Sequence, residues 1–190
     1  MREKILEIAE QQMKAGGYSF LSFAQIAKAL GTTRANLHYH FKNKETLAVE
    51  VTKRFIADHH GGMVKMAEAY AGNFPKYFSV LCEDFLWTNF ENHGRVGTCV
   101  CAQIIRYPDV PEVLLNLAKK HFENLRKILL EQILSSQEKG IIKKDVAGKV
   151  IAAEAGCMLF GLAQMALYVE PHDCGIMKEV AANWVKHYLP

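Results

Sequence analysis

The chain has 190 residues, enough to bury a real core as one domain or as a small domain joined to a larger one. Half of the residues are hydrophobic and 23% are charged, an ordinary balance for a soluble globular protein. The net charge is only +3, and its placement matters more than its size: nine Lys/Arg meet six Asp/Glu in residues 1–60, and fourteen meet fourteen in 61–190. The longest uncharged run, Ala155 to Val169, is 15 residues and contains Gln164. A membrane span needs ~20, so none is expected. Five cysteines (Cys82, Cys99, Cys101, Cys157, Cys174) are odd in number and irregular in spacing, which argues against a disulfide framework. The opening MREKILEIAEQQMK is a charged amphipathic helix rather than a signal peptide, so a reduced, cytoplasmic setting is expected.

Nearly every stretch has helical periodicity, and the expected fold is all-α with about nine helices. Ile5, Ile8, Ala9 and Met13 make an apolar stripe on a helix over 2–15, which Gly16-Gly17 ends. Tyr18, Phe20, Leu21 and Phe23 then serve as a wedge against the next two helices. Ser22 opens the second helix with Gln25 three residues on, the capping-box spacing. Ile26, Ala27 and Leu30 share a face, and Gly31 stands where the chain must turn. Thr32 and Thr33 are N-cap candidates for a third helix whose large inward residue is Leu37, closed by Phe41. The rest of that helix carries Arg34, Asn36, His38, Tyr39 and His40, a donor-rich surface suited to a polar partner. A helix, a glycine turn and a short donor-rich helix match a helix-turn-helix reading the DNA major groove; solvated polar helices after a glycine turn are the alternative.

Asn43 can cap a fourth helix to about His60, with Leu47, Val51 and Phe55 inward, which Gly61-Gly62 is expected to interrupt. Beyond Asn73, Pro75 starts a helix to about Asn92, a short helix covers about Thr98 to Arg106, and a long one runs from Asp109 to about Lys139. Asp145 is the expected cap of a helix reaching Glu170, and a last helix spans about Asp173 to Tyr188.

Gly31-Thr-Thr-Arg-Ala-Asn-Leu-His-Tyr-His-Phe41, followed by Lys44-Glu45 and Leu47, resembles the recognition stretch of the TetR family of transcriptional repressors. Gly31, Thr33, Leu37, His40, Phe41, Lys44 and Leu47 match that family's pattern, and His38 departs from it, standing where tyrosine is usual. The resemblance implies a helix-turn-helix DNA-binding domain over 1–47 and a ligand-binding and dimerisation domain over 48–190. It implies that Tyr39, His40 and Lys44 position DNA phosphates, and Ser22 and His38 join the expected DNA-binding set. Thr33, Arg34 and Asn36 lie in the first turn of the third helix, where base contacts concentrate; Arg suits guanine and Asn adenine. The implied partners are a double-stranded DNA operator, a second copy of the chain and a small-molecule inducer.

For the inducer, an aromatic-rich pocket is expected from Phe85, Trp87, Arg106, Tyr107, His121, Phe122 and Phe160. The small residues Ala152, Ala153, Ala155, Gly156, Gly161, Ala163 and Ala166 suit either a tight core or a homodimer interface. Cys99-Val100-Cys101 falls on the short helix expected from about Thr98, where positions two apart do not face each other, so it is neither a CxxC redox motif nor a good metal pair. A packed structural role is one reading; a thiol sensor at Cys99, near a helix start, is the other. His59-His60 and His172-x-Cys174 lack further zinc ligands at a recognisable spacing and read as surface features, so no metal is expected. No phosphate loop, catalytic triad or carboxylate pair appears, and no cofactor is expected. The competing reading is an all-α cytoplasmic cysteine-dependent enzyme or redox protein.

Overall fold

The computed structural model describes residues 1–83, 99–107, 109–165 and 174–190. Among these are nine helices: α1 Arg2–Phe20, α2 Phe23–Ala29, α3 Arg34–His40, α4 Lys44–Ala69, α5 Phe74–Cys82, α6 Val100–Arg106, α7 Glu112–Glu138, α8 Gly148–Met165 and α9 Cys174–Lys186. No described residue is in a strand. No helix among the described residues is long and apolar enough to cross a membrane.

Compactness divides the chain into two units, elsewhere than at residue 47. One comprises 1–60 with 98–122, the other 61–97 with 123–190, as far as they are described. In the first, Ile5, Ala9 and Met13 of α1 lie one helical turn apart and are fully buried. They meet Ile26, Leu37 and Phe41, then Leu47 and Val51 of α4. Val100, Cys101 and Ile104 of α6 and Leu114 and Ala118 of α7 complete the same core. Gln103 fastens α6 to α1 through a hydrogen bond from its side chain to the Lys14 carbonyl at 3.2 Å. At Gly17 the backbone turns through φ +68°, and a Cβ there would stand 3.0 Å from Tyr107, so glycine permits both the break in α1 and the approach of the segment after α6.

The second unit is built on Phe74, Tyr77 and Phe78 of α5, Ile133 of α7, Ile151 and Ala155 of α8, and Ala181 of α9. The Trp184 ring sits 4.8 Å from that of Phe78, its indole N–H donates to Glu154, and the Tyr188 hydroxyl donates to the same carboxylate. Pro75 stands in the first turn of α5 as expected, and Asn73 caps the helix by accepting from the Lys76 N–H at 3.2 Å.

Several expectations need correction. Gly61-Gly62 does not interrupt α4, which runs on to Ala69. Two helical glycines cost about 1 kcal/mol each, but Met63 and Ala67 just beyond them are buried, and burying one large apolar side chain returns about 1.5–3 kcal/mol. Asp145 caps nothing: the Gln137 amide donates to the carbonyls of Lys143 and Val146, both at 2.8 Å, holding that loop open until Gly148. Phe20 is no wedge, being 59% exposed, whereas Leu21 is buried. The capping box at Ser22 is half right. Ser22 accepts from the Gln25 N–H at 3.4 Å, but Gln12 of α1, not Gln25, accepts from the Ser22 N–H at 2.9 Å.

Candidate DNA-binding interface

The turn between α2 and α3 is closed by two backbone bonds, Gly31 N–H to the Lys28 carbonyl (3.3 Å) and Thr32 N–H to the Ala27 carbonyl (2.9 Å). This is a Schellman end, and it requires the left-handed φ of +61° at Gly31. Thr33 then caps α3, its hydroxyl accepting from the Asn36 N–H at 3.2 Å. Leu37 is fully buried and Phe41 is 1% exposed, so α3 is nailed down along one edge only. The opposite edge faces out: Thr33 and Arg34 are exposed, and Tyr39 is 85% exposed. At that exposure the Tyr39 ring adds little to the core and is free to meet a partner.

The other residues assigned to this surface are placed by their own contacts. Asn36 is half-buried and its amide donates to the Thr32 hydroxyl at 3.0 Å. His38 is exposed, with Nδ1 3.2 Å from the Lys42 carbonyl and its ring 4.9 Å from that of Phe23. Those contacts suit an imidazole in the place of the usual tyrosine. The His40 ring stands edge-on to Tyr39 at 5.3 Å. Lys44 is half-buried over the Tyr18 ring at 4.6 Å and donates to the Ser19 carbonyl at 3.2 Å. Burial holds its pKa below the ordinary lysine value. Beside it, Asn43 caps α4 by accepting from the Thr46 N–H at 2.8 Å. Ser22, at the start of α2, is half-buried.

Charge supports this surface in a way that a count over 1–60 hides. No acidic residue occurs between Glu10 and Glu45, while Lys14, Lys28, Arg34, Lys42 and Lys44 do. Three of the six acids in residues 1–60 are ion-paired: Glu50 with Arg2, Glu3 with Arg54 at 2.7 Å, and Glu10 with Lys14 at 2.7 Å. Lys28 and Lys42, both exposed in the acid-free stretch, are additional phosphate-contact candidates that motif matching passed over.

The set assigned to an inducer pocket is dispersed. Phe85 and Trp87 lie outside the described residues. Arg106 and Tyr107 are exposed, His121 is buried and Phe122 half-buried, all in the first unit. Phe160 belongs to the second unit and is 56% exposed.

Cys99 and Cys101 are not side by side on a helix. Cys99 is the N-cap of α6 with φ −51° and ψ 125°, so its side chain folds back over the first turn. The two sulfurs and a ring nitrogen of His121 lie within 4.8 Å of one another. The Cys101 thiol bonds to Cys99 and holds the Cys99 pKa well below the ordinary thiol value, against the upward push of burial and with the help of His121. The Cys101 thiol is pushed up, first by that same bond and then by burial. His59 is no surface feature either: it is half-buried, stacked on Phe55 at 5.5 Å, with its ring 5.1 Å from that of His121.

Against known proteins, residues 5–51 match the family described as bacterial regulatory proteins, tetR family. The HTH-type transcriptional regulator QacR of Staphylococcus aureus is 35% identical over 51 residues, a match that spans 27% of either chain. A TetR-family transcriptional regulator from Agrobacterium tumefaciens has the same fold, with a TM-score of 0.86 at 16% identity over 100% of this chain and 97% of that one. A transcriptional regulator from Saccharomonospora viridis, solved in complex with choline, has a TM-score of 0.83 at 21% identity over 99% and 96%. Residues 5–51 thus match the tetR family of bacterial regulatory proteins, and the chain shares from end to end the fold of solved TetR-family regulators.

Proposed function

We propose that the protein is a repressor that binds a pseudo-palindromic DNA operator as a homodimer and is released by a small molecule. One observation carries the DNA reading: α3 buries only Leu37 and turns Thr33, Arg34 and Tyr39 outward from a stretch without acids. Arg34, in the first turn, reads a base, and Tyr39, His40 and Lys44 position phosphates, with Lys44 leaving the Ser19 carbonyl for DNA. Arg34→Ala is expected to cost about 1–3 kcal/mol on the operator and to relax specificity at one base position. Lys44→Ala is expected to weaken all sequences alike. Titrations on operator and scrambled DNA measure both, and equal losses for both variants on both DNAs would refute this division of roles.

Dimerisation is supported by faces that α8 and α9 leave open. Val150, Phe160 and Gly161 on α8, and Ile176 and Val180 on α9, are exposed at helical spacing, opposite the buried Ile151, Ala155 and Ala181. A Cβ added at Gly156 or Gly161 meets nothing within 4 Å, which leaves room for a second backbone to come close. Two heads roughly 34–36 Å apart then address successive major grooves. Phe160→Glu is expected to give a monomeric mass in light scattering at micromolar concentration, where the parent chain is a dimer.

Release by a small molecule is supported by the choline bound to the S. viridis regulator. Selecting sites from random DNA and then screening compounds for release tests the whole proposal. Binding should fall steeply with salt as phosphate contacts release counterions. Thiol-dependent turnover without DNA affinity would favour the competing cysteine-enzyme reading.

A further inference from the structure

We infer that Cys99, Cys101 and His121 form a binding site for a soft d10 cation, Zn2+ or Cu+. The three donor atoms lie within 4.8 Å of one another. Metal–sulfur bonds of about 2.3 Å and metal–nitrogen bonds of about 2.0–2.1 Å put neighbouring donors roughly 3.5–4 Å apart, so the cluster needs to contract by only about an ångström. The ligand types are those that thiophilic ions prefer over magnesium or calcium.

The second observation is His121 itself. It is 1% exposed, and neither ring nitrogen has a hydrogen-bond partner of normal geometry among the described residues. Its ring is flanked by Phe55 at 6.1 Å and Phe122 at 5.6 Å, an apolar setting in which an unmatched imidazole is costly. The Cys99 sulfur beside the ring offsets part of that cost, and a coordinated ion would remove the rest. Charge points the same way. Two thiolates balance one Zn2+, so the loaded cluster is buried without net charge. The site lies within the unit that carries α3, yet its existence does not depend on the DNA reading.

The test uses the full chain, stripped of metal and kept reduced, titrated separately with Zn2+ and Cu+ against a chromophoric chelator. The expected result is one equivalent of at least one of these ions per chain. Its X-ray absorption spectrum should show two sulfur neighbours near about 2.3 Å and at least one imidazole. Cys99→Ser and His121→Gln should each weaken binding by about 100-fold or more. Cys99 is only half-buried, so its variant keeps the test sound if His121→Gln fails to fold by circular dichroism. No stoichiometric uptake of either ion, full affinity in Cys99→Ser, or a spectrum with only nitrogen and oxygen neighbours would overturn the site. DNA affinity measured on the same samples is a separate readout, so loss of the site and loss of the DNA function are told apart.

Discussion

Phe41→Ala is expected to destabilise the DNA-reading unit by about 3–5 kcal/mol and to abolish operator binding. The Phe41 ring is 1% exposed and fills the core where α3 ends and α4 begins. Its backbone is extended, with φ −138° and ψ 115°, and its N–H closes α3 on the Leu37 carbonyl at 2.7 Å. The Arg2 guanidinium covers the ring 5.1 Å from its centre, so α1 also rests on it. Whole domains hold only about 5–15 kcal/mol, and this one truncation removes a large share. Urea denaturation measures the loss, and Phe41→Leu should recover most of it. Tyr39, two residues earlier and 85% exposed, makes the contrast. Tyr39→Ala should leave stability within about 0.5 kcal/mol while weakening DNA binding. If Tyr39→Ala unfolds the protein, or Phe41→Ala leaves operator affinity intact, the separation of the two edges of α3 is wrong.

Gln132→Leu is expected to be the most damaging near-isosteric change in the second unit. The Gln132 side chain donates to the Ala67 carbonyl at 2.9 Å and accepts from the Gly72 N–H at 3.3 Å. One turn later, Ser136 accepts from the Phe74 N–H at 2.7 Å and donates to the Gln132 carbonyl at 2.8 Å. Two side chains of α7 therefore satisfy the end of α4, the turn after it and the start of α5, backbone groups that a helix terminus leaves open. Leucine fills the same space and matches neither group, orphaning a buried C=O and a buried N–H at about 1–3 kcal/mol each. For a chain of this size that lowers the melting temperature by about 2–4 °C per kcal/mol. A melting curve that does not move would mean that water reaches the turn.

Gln132, like Gln12, marks the boundary between what a sequence shows and what only the fold brings together. Local signals were readable: the stripe of Ile5, Ala9 and Met13, the turn at Gly31, the caps at Ser22, Thr33 and Asn43. Each rests on neighbours within a few positions. Gln12 and Gln132 act on backbone groups 10 and 65 residues away, and no spacing marks such a partner. The cysteine pair failed for a finer reason. Whether Cys99 and Cys101 converge depends on whether the helix starts before or after Cys99. Starting it at about Thr98 reverses the geometry that the N-cap conformation creates. The exposed donor edge of α3 was legible because the helix has one large apolar residue, Leu37, among its polar ones. Lys28 and Lys42 escaped because they belong to no motif, although the missing acids between Glu10 and Glu45 point to them.

The core of the reading unit is not made by its first sixty residues alone. Val100, Cys101, Ile104, Leu114 and Ala118 close it from far along the chain, fully buried against α1 and its neighbours. A protein engineer who cuts at residue 47 or 60 and grafts the head onto another body would leave that hydrophobic face open to water, and the graft should aggregate or stay molten. During synthesis, too, the head must wait until residue 118 has left the ribosome. Its folding is then governed by closure of a long loop, which makes it slower than a local three-helix bundle of equal size.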